Sequence, residues 1–239
     1  MKEYYHKWYS QYIGKEFEML VFGEKGIPVI LFPTFNGRYF EYKDNQVINS
    51  AEELLDKGLI KIYCPDSFNY QSWHNYDIHP ADRAKSHLAY ERLIINDVIG
   101  FARYETNYQK FVMAGFDFGA YHSLNFTLRR PDLVSDLLCV DGFYNIKQFI
   151  FGYYDDNCYF NDPREYLPNL CDEWYIENLK NINIKISITD QASLFSENKL
   201  ISELLSKKKI PNVFFFDSSK IDKLEKWKKI FSEFVGKLS

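Results

Sequence analysis

Between Lys110 and His122 the chain passes from an almost wholly apolar run, Lys110-Phe111-Val112-Met113-Ala114-Gly115, straight into Phe116-Asp117-Phe118-Gly119-Ala120-Tyr121-His122. The run predicts a strand buried on both faces, as in the centre of a parallel sheet. The residues after it predict a helix from about Phe118 to Arg130, stopped by Pro131. A strand that turns directly into a helix leaves little room at the turn. The flanking positions must be small, which Gly115 and Gly119 satisfy. The middle residue, Asp117, is then held in a strained backbone conformation and projects above the sheet at the start of a helix, where backbone N–H groups can stabilise developing negative charge.

The rest of the chain alternates in the same way. Strands are expected at Phe17–Phe22, Pro28–Phe32, Leu59–Cys64, Val134–Val140, Ile182–Ile188 and Val213–Phe216. The first two, joined through Gly23-Glu24-Lys25-Gly26, read as an antiparallel hairpin at the sheet edge. Helices are expected over Asn45–Lys57, Asp82–Arg103, Glu197–Lys207 and Lys220–Leu238. This alternation predicts an α/β fold: three layers, a mostly parallel central sheet, and helices on both faces. The 239 residues suit one domain spanning 1–239. Residues 142–179, rich in Tyr, Asn, Asp and Pro, read as an insertion over the sheet.

Charge and composition exclude several roles. A net charge of −4 gives no general attraction to nucleic acid or anionic membrane. No apolar run approaches the ~20 residues of a bilayer crossing. The N-terminus, Met1-Lys2-Glu3-Tyr4-Tyr5-His6-Lys7-Trp8, lacks the apolar stretch of an export signal. Cys64, Cys139, Cys158 and Cys171 have no CxxC spacing and read as reduced thiols, Cys64 and Cys139 as packing residues, so a cytoplasmic location is expected. No cofactor and no metal are expected; His74, Asp77 and His79 match no strong ligand motif, and Pro80 makes them a helix lead-in. The 18% aromatic content can fill a core or supply an oligomer interface.

Four stretches carry a resemblance. They are Leu31-Phe32-Pro33-Thr34-Phe35-Asn36-Gly37-Arg38; Ser72-Trp73-His74 with Ile78-His79-Pro80; Gly115-Phe116-Asp117-Phe118-Gly119-Ala120-Tyr121-His122; and Gly152-Tyr153-Tyr154-Asp155-Asp156 with Tyr159-Phe160-Asn161. Through them the chain resembles the esterase D-like branch of the α/β-hydrolase superfamily, in which the turn carries Gly-x-Ser-x-Gly, the nucleophile elbow. The resemblance implies a loop at Thr34–Gly37 that helps form the oxyanion hole, with Phe35 and Asn36 at its positions and the Phe118 amide as the second donor. It also implies that residues 142–179 line the substrate cleft.

The catalytic pattern departs from that family at each triad position. Its serine is matched by Asp117. Its acid falls in Thr189-Asp190-Gln191-Ala192, nearer Ala192 than Asp190. Its histidine falls in Phe216-Asp217-Ser218-Ser219-Lys220, which contains none. The chain's histidines are His6, His74, His79, His87 and His122, and none follows His122. A serine hydroxyl needs a base, and losing a triad member costs up to about 10⁶ in rate. His122, five residues along the helix, points about 140° around the axis from Asp117 and reads as a packing residue. Asp117 itself reads as a retired nucleophile serving as a stabilising helix cap. Arg38 offers either a site for an anionic ligand or a surface ion pair, and Tyr154 either a cleft wall or an anchor for the insertion. Trp73 and Trp174 read as core or cleft-wall residues.

The sequence thus predicts an esterase-like α/β-hydrolase fold without the usual ester chemistry, binding a small-molecule ligand in the old ester cleft or acting through a partner surface or a homo-oligomer. The alternative is an active hydrolase, acting on esters or in the manner of the haloalkane dehalogenases, with Asp117 as nucleophile.

Overall fold

The apolar runs become strands because each has two faces to bury. In the computed structural model, which describes residues 1–189 and 192–238, eight strands form one sheet in the order β1-β2-β4-β3-β5-β6-β7-β8. They are β1 (Glu3–Ser10), β2 (Lys15–Phe22), β3 (Ile27–Phe32), β4 (Ile60–Pro65), β5 (Phe111–Phe116), β6 (Val134–Val140), β7 (Asn183–Ile188) and β8 (Val213–Phe216). From β4 to β8 every pairing is parallel, whereas β1 and β2 are antiparallel. Ten α-helical segments occur among the described residues: α1 (Glu41–Asp44), α2 (Glu52–Asp56), α3 (Pro80–Leu93), α4 (Ile99–Thr106), α5 (Phe118–Arg129), α6 (Asp156–Tyr159), α7 (Pro163–Asn169), α8 (Glu173–Lys180), α9 (Ala192–Lys207) and α10 (Lys223–Val235).

Period-two alternation divides each strand between two cores. Met19, Val21, Ile30, Phe32, Phe111 and Met113 face one core, which α3, α4, α5 and α9 cover. Leu20, Phe22, Val29, Leu31, Val112 and Ala114 face the other, beneath the Glu41–Asp56 region and α10. The three expected layers are therefore present, with helices on both faces.

Several local expectations need correction. The hairpin between β2 and β3 does not form. β2 pairs with β1 and β4, while β3 lies between β4 and β5. The connecting loop carries Gly23 at φ +87° and Gly26 at φ +118°, and a side chain at Gly26 would collide with the backbone of Leu59 and Ile60. The loop thus packs against the start of β4 and lets the chain step past that strand. A run as apolar as β3 belongs inside the sheet. The edge position goes instead to β1, whose outward-facing Glu3, Tyr5, Lys7 and Tyr9 give it no apolar signature. The single helix expected over Asn45–Lys57 does not form: Gln46, at φ 58°, separates the preceding α1 from a 3₁₀ turn at Ile48–Ala51, and only that turn and the short α2 fall within the expected span. The long helix expected over Asp82–Arg103 is interrupted by a wide π-type turn at Ile94–Val98. Trp73 is fully buried, but Trp174 is half exposed.

Candidate functional site

The crevice above the carboxyl ends of the parallel strands is where an open α/β sheet brings chemistry together. Here the ends of β3, β5 and β6 and the start of α10 meet around Asp117. The elbow is as tight as its glycines predict. A side chain at Gly115 would strike the backbone of Gly119, and one at Gly119 would strike the carbonyls of Phe32 and Pro33. Asp117 takes φ 54° and ψ −120°, a conformation that costs of order 1–3 kcal/mol for a residue with a side chain. It is held by its amide to the Val140 carbonyl at 2.9 Å and by its own carbonyl, which accepts from the Phe143 amide at 3.3 Å.

The carboxylate does something the sequence did not suggest. It makes no capping bond to the first turn of α5. Instead the Phe35 amide donates to Asp117 Oδ2 at 3.1 Å. The cap reading is therefore corrected: the carboxylate's main hydrogen bond comes from an amide 82 positions away in sequence, and the Phe118 amide at the start of α5 acts on it more weakly. Burial pushes the Asp117 carboxyl above its ordinary range, the Phe35 and Phe118 amides and the charge of Lys223 pull it back, and Asp141 pushes it further up. Phe35 and Phe118 are two of the three positions, with Asn36, that the resemblance implies for the oxyanion hole, and both of their amides act on this one carboxylate.

The Thr34–Gly37 loop is fixed from behind. His122 Nε2 donates to Asn69 Oδ1 at 2.8 Å, and Asn69 Nδ2 donates to the Phe35 carbonyl at 3.2 Å. His122 is buried, and burial holds its pKa down at about 3. Its ring is therefore neutral and committed to positioning the loop. His74 stacks on the Phe35 ring at 3.6 Å, with the rings of Phe149 at 4.9 Å and Phe118 at 5.2 Å. Burial lowers its pKa to about 4. His79 caps α3, its Nδ1 accepting from the Ala81 amide at 3.2 Å. Among the described residues no histidine hydrogen-bonds to Asp117.

On its other side Asp117 opens onto a hollow of about 250 Å³, whose walls include Thr34, Glu41, Lys223 and Trp227. Sequence reasoning missed Glu41, Lys223 and Trp227. Glu41 is held by the Thr34 amide at 2.5 Å and the Thr34 hydroxyl at 2.8 Å. Burial raises its pKa to about 7, against the pull of Thr34 and with a smaller push from the Asp117 charge. Gly37 makes room for it, because a side chain there would overlap the Glu41 carboxylate. Lys223 begins α10, three residues beyond the segment where the resemblance places a histidine, and its Nζ lies 4.5 Å from the centre of the Trp227 ring. Trp227 is itself fixed, since its Nε1 donates to Asp141 Oδ2 at 2.7 Å. Asp141, fully buried at the end of β6, also accepts from the Thr189 amide and hydroxyl, each at 2.7 Å.

The remaining candidates lie elsewhere. Asn36 is exposed and accepts from the Tyr70 hydroxyl at 2.7 Å. Arg38 binds Asp66 through Nε at 2.8 Å and Nη2 at 2.7 Å, and Glu18 through Nη2 at 2.7 Å. Its guanidinium is matched by two carboxylates and does not line the Asp117 hollow. Tyr154 is about half exposed, and it too lies off that hollow. Asp190 falls outside the described residues. Among the described residues no group of three or more His, Cys, Asp and Glu side chains is placed to hold a metal ion, and no helix is long and apolar enough to cross a membrane.

No protein-family model and no curated protein matches the sequence. Solved structures do match the fold. A ferulic acid esterase superposes with a TM-score of 0.76 at 14% identity, covering 99% of this chain and 98% of its own. An S-formylglutathione hydrolase from Agrobacterium tumefaciens superposes at 0.74 with 10% identity, covering 99% and 95%. The S-formylglutathione hydrolase of Staphylococcus aureus superposes at 0.62 with 13% identity, covering 98% and 96%. With the strand order, the parallel crossovers and the elbow after β5, these likenesses establish that the chain has the α/β-hydrolase fold.

Proposed function

We propose that this chain is an α/β-hydrolase-fold protein that has left serine-type ester hydrolysis behind and binds a small ligand in the hollow beside Asp117. The observation that carries the reading is the bond from the Phe35 amide to Asp117 Oδ2. In an esterase of this fold a free amide at that position would receive the oxyanion of the tetrahedral intermediate. Here a resident carboxylate takes it, and a second negative charge could approach only against repulsion. The imidazoles that could serve as base are engaged elsewhere: His122 on Asn69 and His74 within a stack of rings. The similarity to a ferulic acid esterase and to S-formylglutathione hydrolases makes short esters and thioesters the substrates to test. We expect wild-type protein and the Asp117→Asn variant to turn over p-nitrophenyl acetate at the same background rate. Turnover that is well above background and lost in Asp117→Asn would overturn the reading.

One observation favours a second reading. Glu41 lies in the same hollow with a pKa near 7, the range suited to a general base at neutral pH. In that reading an Asp117 oxygen displaces halide from an alkyl halide, forming an alkyl ester on Asp117. A water that gives its proton to Glu41 then attacks the ester carbonyl, releasing alcohol and restoring the carboxylate. Intact-protein mass spectrometry of the Glu41→Gln variant after incubation with 1-bromobutane decides between the two. A butyl adduct on Asp117 supports the second reading, and an unmodified protein supports the first.

A further inference from the structure

The three ionisable side chains around the Asp117 hollow share one arrangement. Each is fixed by a neutral partner. Glu41 is held by the amide and hydroxyl of Thr34, Asp117 by the amide of Phe35, and Lys223 by the face of the Trp227 ring. Among the described residues none of the three has a group of opposite charge within 4.0 Å. They sense one another, since Lys223 favours the ionised form of Asp117 and Asp117 disfavours that of Glu41. The hollow of about 250 Å³ is thus lined by one lysine and two carboxyl groups that form no ion pair with one another.

Several other charges close onto a partner of opposite sign, although buried Asp141 and Arg83 are also held by neutral groups. Arg38 meets Asp66 and Glu18, Lys61 meets Glu105, and Arg129 meets Glu91. Charges held apart across a cavity by neutral supports are oriented in advance for a ligand that carries the complementary pair. The volume is at or below the small end of small-molecule sites, which run from about 300 to 1,000 Å³. It therefore suits a molecule of a few heavy atoms.

Building on the reading of this hollow as a ligand site, we infer that its ligand is a small zwitterion, a short amino acid whose ammonium group lies against Asp117 and Glu41 and whose carboxylate meets Lys223. The trapped geometry explains why both signs are kept: a purely cationic ligand would face Lys223, and a purely anionic one would face the two carboxylates. The Thr34 and Phe35 donors remain bonded to the protein in the filled site, so binding needs no rearrangement of the loop.

Isothermal titration calorimetry at constant ionic strength tests this with glycine, β-alanine and 4-aminobutyrate, which step the charge separation, against ethylamine and propionate, which carry one charge each. At least one amino acid should bind about tenfold more tightly than both single-charge probes. Lys223→Met should remove its advantage over ethylamine, and Glu41→Gln should weaken it toward propionate. Circular dichroism checks that both variants fold, and the wild-type series alone is decisive should either fail. No preference for any amino acid overturns the inference, as does a preference that survives both substitutions in folded protein. Asp117-dependent ester turnover would instead remove the reading on which it rests, so the two failures are distinguishable.

Discussion

Asp117 stands between two regions of opposite character. On one side the rings of Phe35, His74, Phe118 and Phe149 pack against one another with centroids 3.6–6.0 Å apart. His74 is so enclosed that, among the described residues, neither ring nitrogen finds a partner. On the other side lies an open hollow with charged walls. The resemblance at the sequence level points to residues 142–179 as the wall of a substrate cleft, and Phe149 from that stretch now fills the space above Phe118. The contrast teaches that one tight elbow can carry a ring-packed flank and a polar, open flank at once. Aromatic rings consolidate one side, and two carboxyl groups and a lysine line the other.

The strongest way to break the comparison is to empty the ring-filled side. Phe118→Ala should destabilise the fold by about 3–5 kcal/mol, the range for losing a buried ring, as measured by urea unfolding. A loss below about 1 kcal/mol would mean that the rings are loosely packed and that the two sides differ less than described. Next comes the support behind the loop. His122→Leu leaves Asn69 Oδ1 without its donor in a buried setting and should cost about 1–3 kcal/mol. Faster hydrogen exchange at the Phe35 amide should accompany it; unchanged exchange would show that the loop does not depend on His122.

The smallest expected effect sharpens the charged side. The Glu41 carboxyl titrates near 7 in the folded protein against an ordinary value of 4.5, so the folded state holds its proton more tightly. Its stabilising contribution is complete below pH 4.5 and is lost as the pH rises through about 7. Urea midpoints compared at about pH 5 and about pH 8 should therefore fall less in Glu41→Gln than in wild type. Parallel declines in the two proteins would show that Glu41 is not held in the way described.

Much of the sheet could be read in advance because strands buried on both faces have no choice but to be apolar. Val134–Val140 falls where expected on that ground, Val213–Phe216 is an apolar edge strand that also falls where expected although mostly exposed, and the elbow announced itself through Gly115 and Gly119. Strand β1 escaped because an edge strand alternating between solvent and the sheet carries Tyr, Lys and Glu rather than Val and Ile. The false hairpin arose because two glycines near a turn signal a reversal without saying which strand comes next. The site was harder. Asp117 was legible as a position but not in its bonding, since its partner amide comes from a distant loop. Glu41 and Lys223 lie 182 positions apart, and only the folded sheet brings them to one hollow.

The buried carboxylate of Asp141 gathers donors from β7 and α10 onto the end of β6. Removing either neighbour would take at least one donor from a buried carboxylate, whereas removing the carboxylate would orphan an indole N–H and a threonine hydroxyl. Positions 141, 189 and 227 are thus expected to be kept or exchanged together among homologues, with the lysine perched on the indole freest to vary where the trio is absent.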